Sequence, residues 1–229
     1  MARLIPFVNI PVVKQERLAG PETVGAGTTK SIGDFVQTTS SAFGGWVYRF
    51  TFRDMGGDQY VHFSGWLAAM HNGANATRWQ YTDRDMASPT LAGVSYVLRQ
   101  DQDWSNGEAW SNGQGWKLSY PSIAVYAAAA KGDTIIRLPD TFWGQQLGWG
   151  RIVGFYPFHF GKYRITEVVA PGVYRIWPPL RVALTTSTQA TLHPTLAMRL
   201  VGADLPPPDH AGPPFGPSVT LAEGFACPV

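Results

Sequence analysis

The residues with the best claim to chemistry are three tryptophans. The segment 103–116 reads DWSNGEAWSNGQGW, with WSNG at 104–107 and again at 110–113, so Trp104, Trp110 and Trp116 recur every six residues. An even period keeps all three rings on one face of an extended chain. Rings flanked by Asn, Ser and Gln could stack on sugars and hydrogen-bond their hydroxyls. Each Asn-Gly pair also favours a tight turn, which would break the extension. In that case the tryptophans would instead cover the seam between two domains.

Other chemistry lacks the spacing it needs. The histidines stand at 62, 71, 159, 193 and 210, without the close pairing of a zinc or non-haem iron site. His62 and His71 fall on one predicted helix, but nine residues apart they face different sides. His159, inside the aromatic run 155–160 (FYPFHF), reads as a core histidine. Asp101, Asp103 and Glu108 are the densest carboxylates, and their spacing does not match an EF-hand loop. The run 25–31 (GAGTTKS) hints at a phosphate loop, but Thr29 stands where the glycine before the lysine is required. No serine sits in a G-x-S-x-G elbow, and the single cysteine, Cys227, lies three residues from the end of the sequence. The expectation is therefore no catalytic residue, no metal, no cofactor and no enzyme.

The elements that must position these residues are mostly strands. Residues 45–53 (GWVYRFTFR) alternate cleanly, with Trp46, Tyr48, Phe50 and Phe52 on the face predicted to be core. After Asp54-Met55-Gly56-Gly57, a helix is predicted over 58–71: Asp58 would cap it, Tyr60, Phe63, Leu67 and Met70 would form its buried stripe, and Asn72-Gly73 would stop it. Residues 78–81 (RWQY) resume strand. Further on, strands are predicted at 134–138, 162–169 and 173–177, the last two joined by Ala170-Pro171-Gly172 as a hairpin. Pro178-Pro179 ends the third. Alternation at Leu180, Val182, Leu184 and at Leu196, Met198, Leu200 predicts two more strands that close the module.

Composition supports this class. Hydrophobic residues make up 45% and charged residues 15%, which suits a β protein or one whose surface other protein covers. The formal net charge of +2 gives no electrostatic case for nucleic acid. The first thirteen residues are cut by Pro6 and Pro11, so they read as neither signal peptide nor membrane span. The fold expected is mainly β: a sandwich-like N-terminal domain with one short helix, then a small antiparallel barrel or sandwich. Its parts would be a strand and arm at 1–40, the β domain with the helix and Trp-rich segment at 41–120, the barrel module at 121–202, and a proline-rich extension at 203–229. Seven of the 18 prolines fall in that extension, which suggests a segment that orders only against a partner.

The order of these features resembles the minor tail proteins found at or near the distal tip of long-tailed bacteriophage tails. The likeness lies in an aromatic strand (46–53), a short helix (58–70) and a strand (78–81), then the repeated Trp-Ser-Asn-Gly segment (104–116), the Gly132-Asp133 turn and Trp177-Pro-Pro-Leu-Arg181. It covers roughly residues 40–201. The resemblance implies a structural virion protein, made in the bacterial cytoplasm, that forms a homo-oligomeric ring, commonly a hexamer. Its implied partners are itself, the tail tube protein and a baseplate hub or tail fibre protein. The alternative is a carbohydrate-binding module that reads host surface glycans through Trp104, Trp110 and Trp116.

Overall fold

The computed structural model describes residues 3–20, 28–30, 36–38, 45–82, 122–140, 146–157, 159–204 and 216–224. Its strands are β1 (Leu4–Pro6), β2 (Val12–Ala19), β3 (Thr28–Lys30), β4 (Val36–Thr38), β5 (Val47–Phe52), β6 (Ala76–Gln80), β7 (Ser122–Ala124), β8 (Ile135–Arg137), β9 (Ile152–Tyr156), β10 (Tyr163–Ala170), β11 (Val173–Trp177), β12 (Gln189–Thr191), β13 (Thr195–Asp204) and β14 (Ser218–Glu223). One helix, α1 (Asp58–Ala69), accompanies them. The protein is mainly β, with two six-stranded sheets. It divides into two compact units: residues 1–80 with 196–229, and residues 81–195.

In the first unit the sheet runs β1-β6-β13-β14-β5-β2. Trp46, Tyr48, Phe50 and Phe52 are all buried, as the alternation around β5 predicted. Tyr48 and Phe50 meet Trp79 of β6 with ring centroids 4.9 and 5.0 Å apart. Phe7, just beyond β1, sits 5.4 Å from Phe50 and 5.5 Å from Trp66 of α1, so one ring ties strand and helix together. Aromatic pairs at these distances add to the stabilisation from burial alone.

Helix α1 starts after Gly57, whose φ of 55° turns the chain in. Asp58 makes no capping bond. It occupies the first turn, where its charge complements the helix dipole. The buried positions are Phe63, Trp66 and Met70. The predicted stripe was thus rotated: Tyr60 is exposed and Leu67 only half-buried, because Trp66 rather than its neighbour faces Phe52. The stop behaves as expected, with Asn72 and Gly73 at φ 52° and 87°. Asn75 then anchors the corner, donating to Ala69 O (2.7 Å) and accepting from the Arg3 amide (2.9 Å).

The second unit holds β7-β12-β9-β10-β11-β8, with neighbouring strands paired antiparallel. One more bond, from the Tyr126 N–H to Arg137 O (3.0 Å), links the segment after β7 to β8, so the two ends of the sheet meet. The result is a small antiparallel barrel, one of the two forms, barrel or sandwich, that the sequence left open. Its interior is packed with Ile136, Val153, Phe155, Ile165, Tyr174, Ile176 and Leu184. A filled interior of this size is a core, not a channel.

The β10–β11 hairpin forms with Ala170 opposite Val173 and Gly172 at φ 73°. A Cβ there would lie 2.5 Å from Leu138 O and 2.9 Å from Asp140 Oδ1. Gly172→Ala therefore meets a positive-φ penalty of roughly 1–2 kcal/mol, with the crowding on top. The expected readout is a lower denaturation midpoint with unchanged slope. A variant as stable as the parent would show that the turn does not need glycine.

Three boundaries differ from expectation. First, the cuts fall at 80/81 and 195/196, not near 120 and 202. The segment Leu196–Asp204 does not close the barrel; it joins the first sheet beside β14, burying Leu196, Ala197 and Met198 together. Second, the proline-rich extension is not wholly a partner-dependent tail. β14 within it pairs with both β13 and β5. The alternation of Val219, Leu221 and Glu223 on its inward face was masked by the charge of the third residue and the surrounding prolines. Third, the predicted strand at Leu180–Leu184 is irregular. Leu180 and Leu184 are buried but Val182 is exposed, and only an isolated bridge to Ala129 forms. In the predicted N-terminal arm, the strand reading holds for β1 and β2, which lie at opposite edges of the sheet.

Candidate interaction surfaces

Trp104, Trp110 and Trp116 lie outside the described residues, as do Asp101, Asp103, Glu108, His210 and Cys227. Lys30 of the phosphate-loop hint belongs to β3, which pairs antiparallel with β4 rather than opening a helix. His62 and His71 are both exposed. Among the described residues, no three His, Cys, Asp or Glu side chains gather as metal ligands would.

Two described histidines, His159 and His193, are buried, and the contacts of the His159 ring define its chemistry. It is buried, and its Nε2 lies 2.7 Å from Tyr163 Oη. Tyr163 Oη also accepts the Arg181 amide N–H at 3.2 Å. That leaves the phenol's own proton for Nε2, an arrangement that fits a neutral ring. Burial, helped by the Arg181 charge, pushes the His159 pKa down to about 4. Phe155 completes the cluster, 5.2 Å from His159 and 5.7 Å from Tyr163. A histidine held neutral, packed on aromatics and closed to solvent cannot shuttle protons to a substrate. It is the satisfied core histidine that the sequence suggested.

Beside it is a pair that the sequence did not reveal. Lys162 is fully buried, with its ammonium 3.7 Å from the centroid of the Tyr81 ring. A desolvated cation over a ring face is worth on the order of 2 kcal/mol. Strand alternation could not find this pair, because Lys162 and Tyr163 are buried on successive positions. The partner, Tyr81, is eighty-one residues away in sequence.

The surfaces open to other molecules lie elsewhere. Comparison with known protein families and with curated proteins finds no match. Function must therefore be argued from these surfaces. Among the described residues β2 ends the first sheet, so one side of it offers its backbone groups to solvent or to another chain. Val12, Val13 and Leu18 on it are exposed, Val13 at 69%. Lys14 and Glu16 form an ion pair at 2.7 Å, and that bond holds the Glu16 carboxyl below its usual range. On the barrel, Trp149 is 78% exposed and Tyr126 72%, and Val168 and Val169 are exposed near the end of β10. No described helix is long and apolar enough to cross a membrane.

Proposed function

We propose that this chain is a structural subunit of a bacteriophage tail tip, forming a ring that joins the tail tube to the hub or receptor-binding apparatus. The observation that carries the reading is β2. An eight-residue edge strand with Val12, Val13 and Leu18 exposed is a costly surface to leave in water, and a neighbouring subunit that covers it removes the cost. The two-unit build supports the same reading. Both ends of the sequence contribute strands to the first sheet, which holds the barrel as an insertion between β6 and β13. Each unit thus has a sheet of its own with which to meet a neighbour.

Light scattering on the purified protein, with negative-stain images of the same peak, tests this. The expected result is a closed ring of several subunits, each contact burying well over roughly 1,000 Å². Replacing both Val13 and Leu18 by Asp should reduce it to monomers that keep the parent's circular dichroism, because both side chains are exposed. A monodisperse monomer whose behaviour the double variant does not change would overturn the reading.

A further inference from the structure

The outer wall of the barrel carries two adjoining depressions that share Arg137. One, of about 450 Å³, is lined by Tyr126, Arg137, Pro139, Asp140, Pro171 and Gly172 among others. The second, of about 510 Å³, continues along Ala127–Ala129 to Asp133 and Ile135. We propose that this groove is a binding subsite for a neutral saccharide, with Tyr126 as the stacking platform and Arg137 and Asp140 as the hydroxyl-binding groups. The proposal goes beyond the ring reading and does not depend on it. It shares a ligand class with the tryptophan alternative but uses none of its residues.

Four observations carry it. Tyr126 is 72% exposed although its own backbone is fixed by the bond to Arg137 O, so the ring is held at the surface by barrel closure. Among the described residues, no side-chain hydrogen bond or ion pair occupies Tyr126 Oη, the Arg137 guanidinium or the Asp140 carboxylate. The wall opposite is stiff: Pro139 and Pro171 fix their own φ, and Gly172 leaves no room for a side chain between Leu138 O and Asp140. Finally, the groove carries no excess of positive charge: Arg137 stands against Asp140 beside Tyr126, and Asp133 in the second depression already accepts the Ala130 N–H at 2.7 Å.

Those features select the ligand. An aromatic face stacks on the C–H face of a pyranose, while a guanidinium fork and a carboxylate together donate to and accept from vicinal hydroxyls. A phosphate or nucleic acid would want net positive charge, which the balanced pair does not give. A protein partner would want a larger contact than a groove of this volume, which suits one or two sugar rings.

Saturation-transfer NMR with glucose, galactose, N-acetylglucosamine, rhamnose and maltose at millimolar concentration tests it. The wild-type chain should transfer saturation to at least one of them. Tyr126→Ala should weaken that sugar roughly tenfold or more, as expected for loss of a stacking face, whereas Tyr126→Phe should keep it. Arg137→Ala should weaken it as well, and Trp149→Ala, which removes an exposed ring elsewhere on the barrel, should not. Tyr126 is exposed, so a matching melting temperature confirms that the alanine variant is folded. Binding that survives in folded Tyr126→Ala places any sugar site elsewhere and overturns the proposal. So does an absence of saturation transfer from every sugar in the panel. Neither result bears on the ring, which is read by mass.

Discussion

Truncating Phe50 to alanine is expected to cost about 3–5 kcal/mol, the largest loss of any single change considered for this protein. Phe50 is wholly buried at the middle of β5, pairing with Gln15 on one side and Val219 on the other. Its ring meets Phe7, Tyr48 and Trp79, with centroids 5.4, 6.2 and 5.0 Å away. Tyr48 and Trp79 are held by β5 and β6 and Phe7 by the chain just beyond β1, so these rings cannot close over the void and the cavity term adds to the lost burial. Urea denaturation followed by tryptophan fluorescence should show the midpoint fall sharply. The control is Val168→Ala, an exposed position on the barrel, which should change stability by no more than about 0.5 kcal/mol. If Phe50→Ala cost less than about 1 kcal/mol, the aromatic face of β5 would not be the centre of that unit.

Acidification should be nearly as damaging, and through one residue of the barrel. His159 titrates at about 4 when folded because burial and Arg181 oppose its proton. An unfolded histidine titrates near 6.5. Above that pH the ring is neutral in both states and the barrel has its full stability. Between roughly 6.5 and 4 only the unfolded chain takes up the proton, so stability falls with decreasing pH. Below about 4 both states are protonated and the loss levels off at around 3 kcal/mol. Carboxylates titrate over part of the same range, so the informative quantity is the difference between the parent and His159→Gln. The parent should lose about 3 kcal/mol more than the variant between pH 7 and pH 4. Parallel stability curves would mean that His159 takes its proton without cost, and hence that it is not sealed against Tyr163.

The sequence by itself determined the elements whose partners are local. The alternation of Trp46, Tyr48, Phe50 and Phe52 survives folding because a pleated strand has a fixed period of two, whatever packs on it. The β10–β11 hairpin was legible because Pro171-Gly172 fixes the reversal within four residues. The same locality made the stop at Asn72-Gly73 readable, and alternation of this kind along the chain gave the mainly-β class, with barrel and sandwich left open for the second module.

Only the tertiary structure decided which strands share a sheet. β13 looks from its own residues like the next strand of the barrel, yet it pairs with β14, whose inward Glu223 accepts the Trp46 amide 177 positions away. No local period encodes such a partner, because a strand edge offers the same backbone groups to any neighbour. The Lys162–Tyr81 contact was hidden for a related reason. A buried cation is tolerable only beside a face that compensates its lost hydration, and nothing around Lys162 in the sequence announces that face. The groove at Tyr126 followed the same rule: its platform and its polar groups come from the segment after β7, from β8 and from the β10–β11 turn, and closure of the barrel is what sets them side by side.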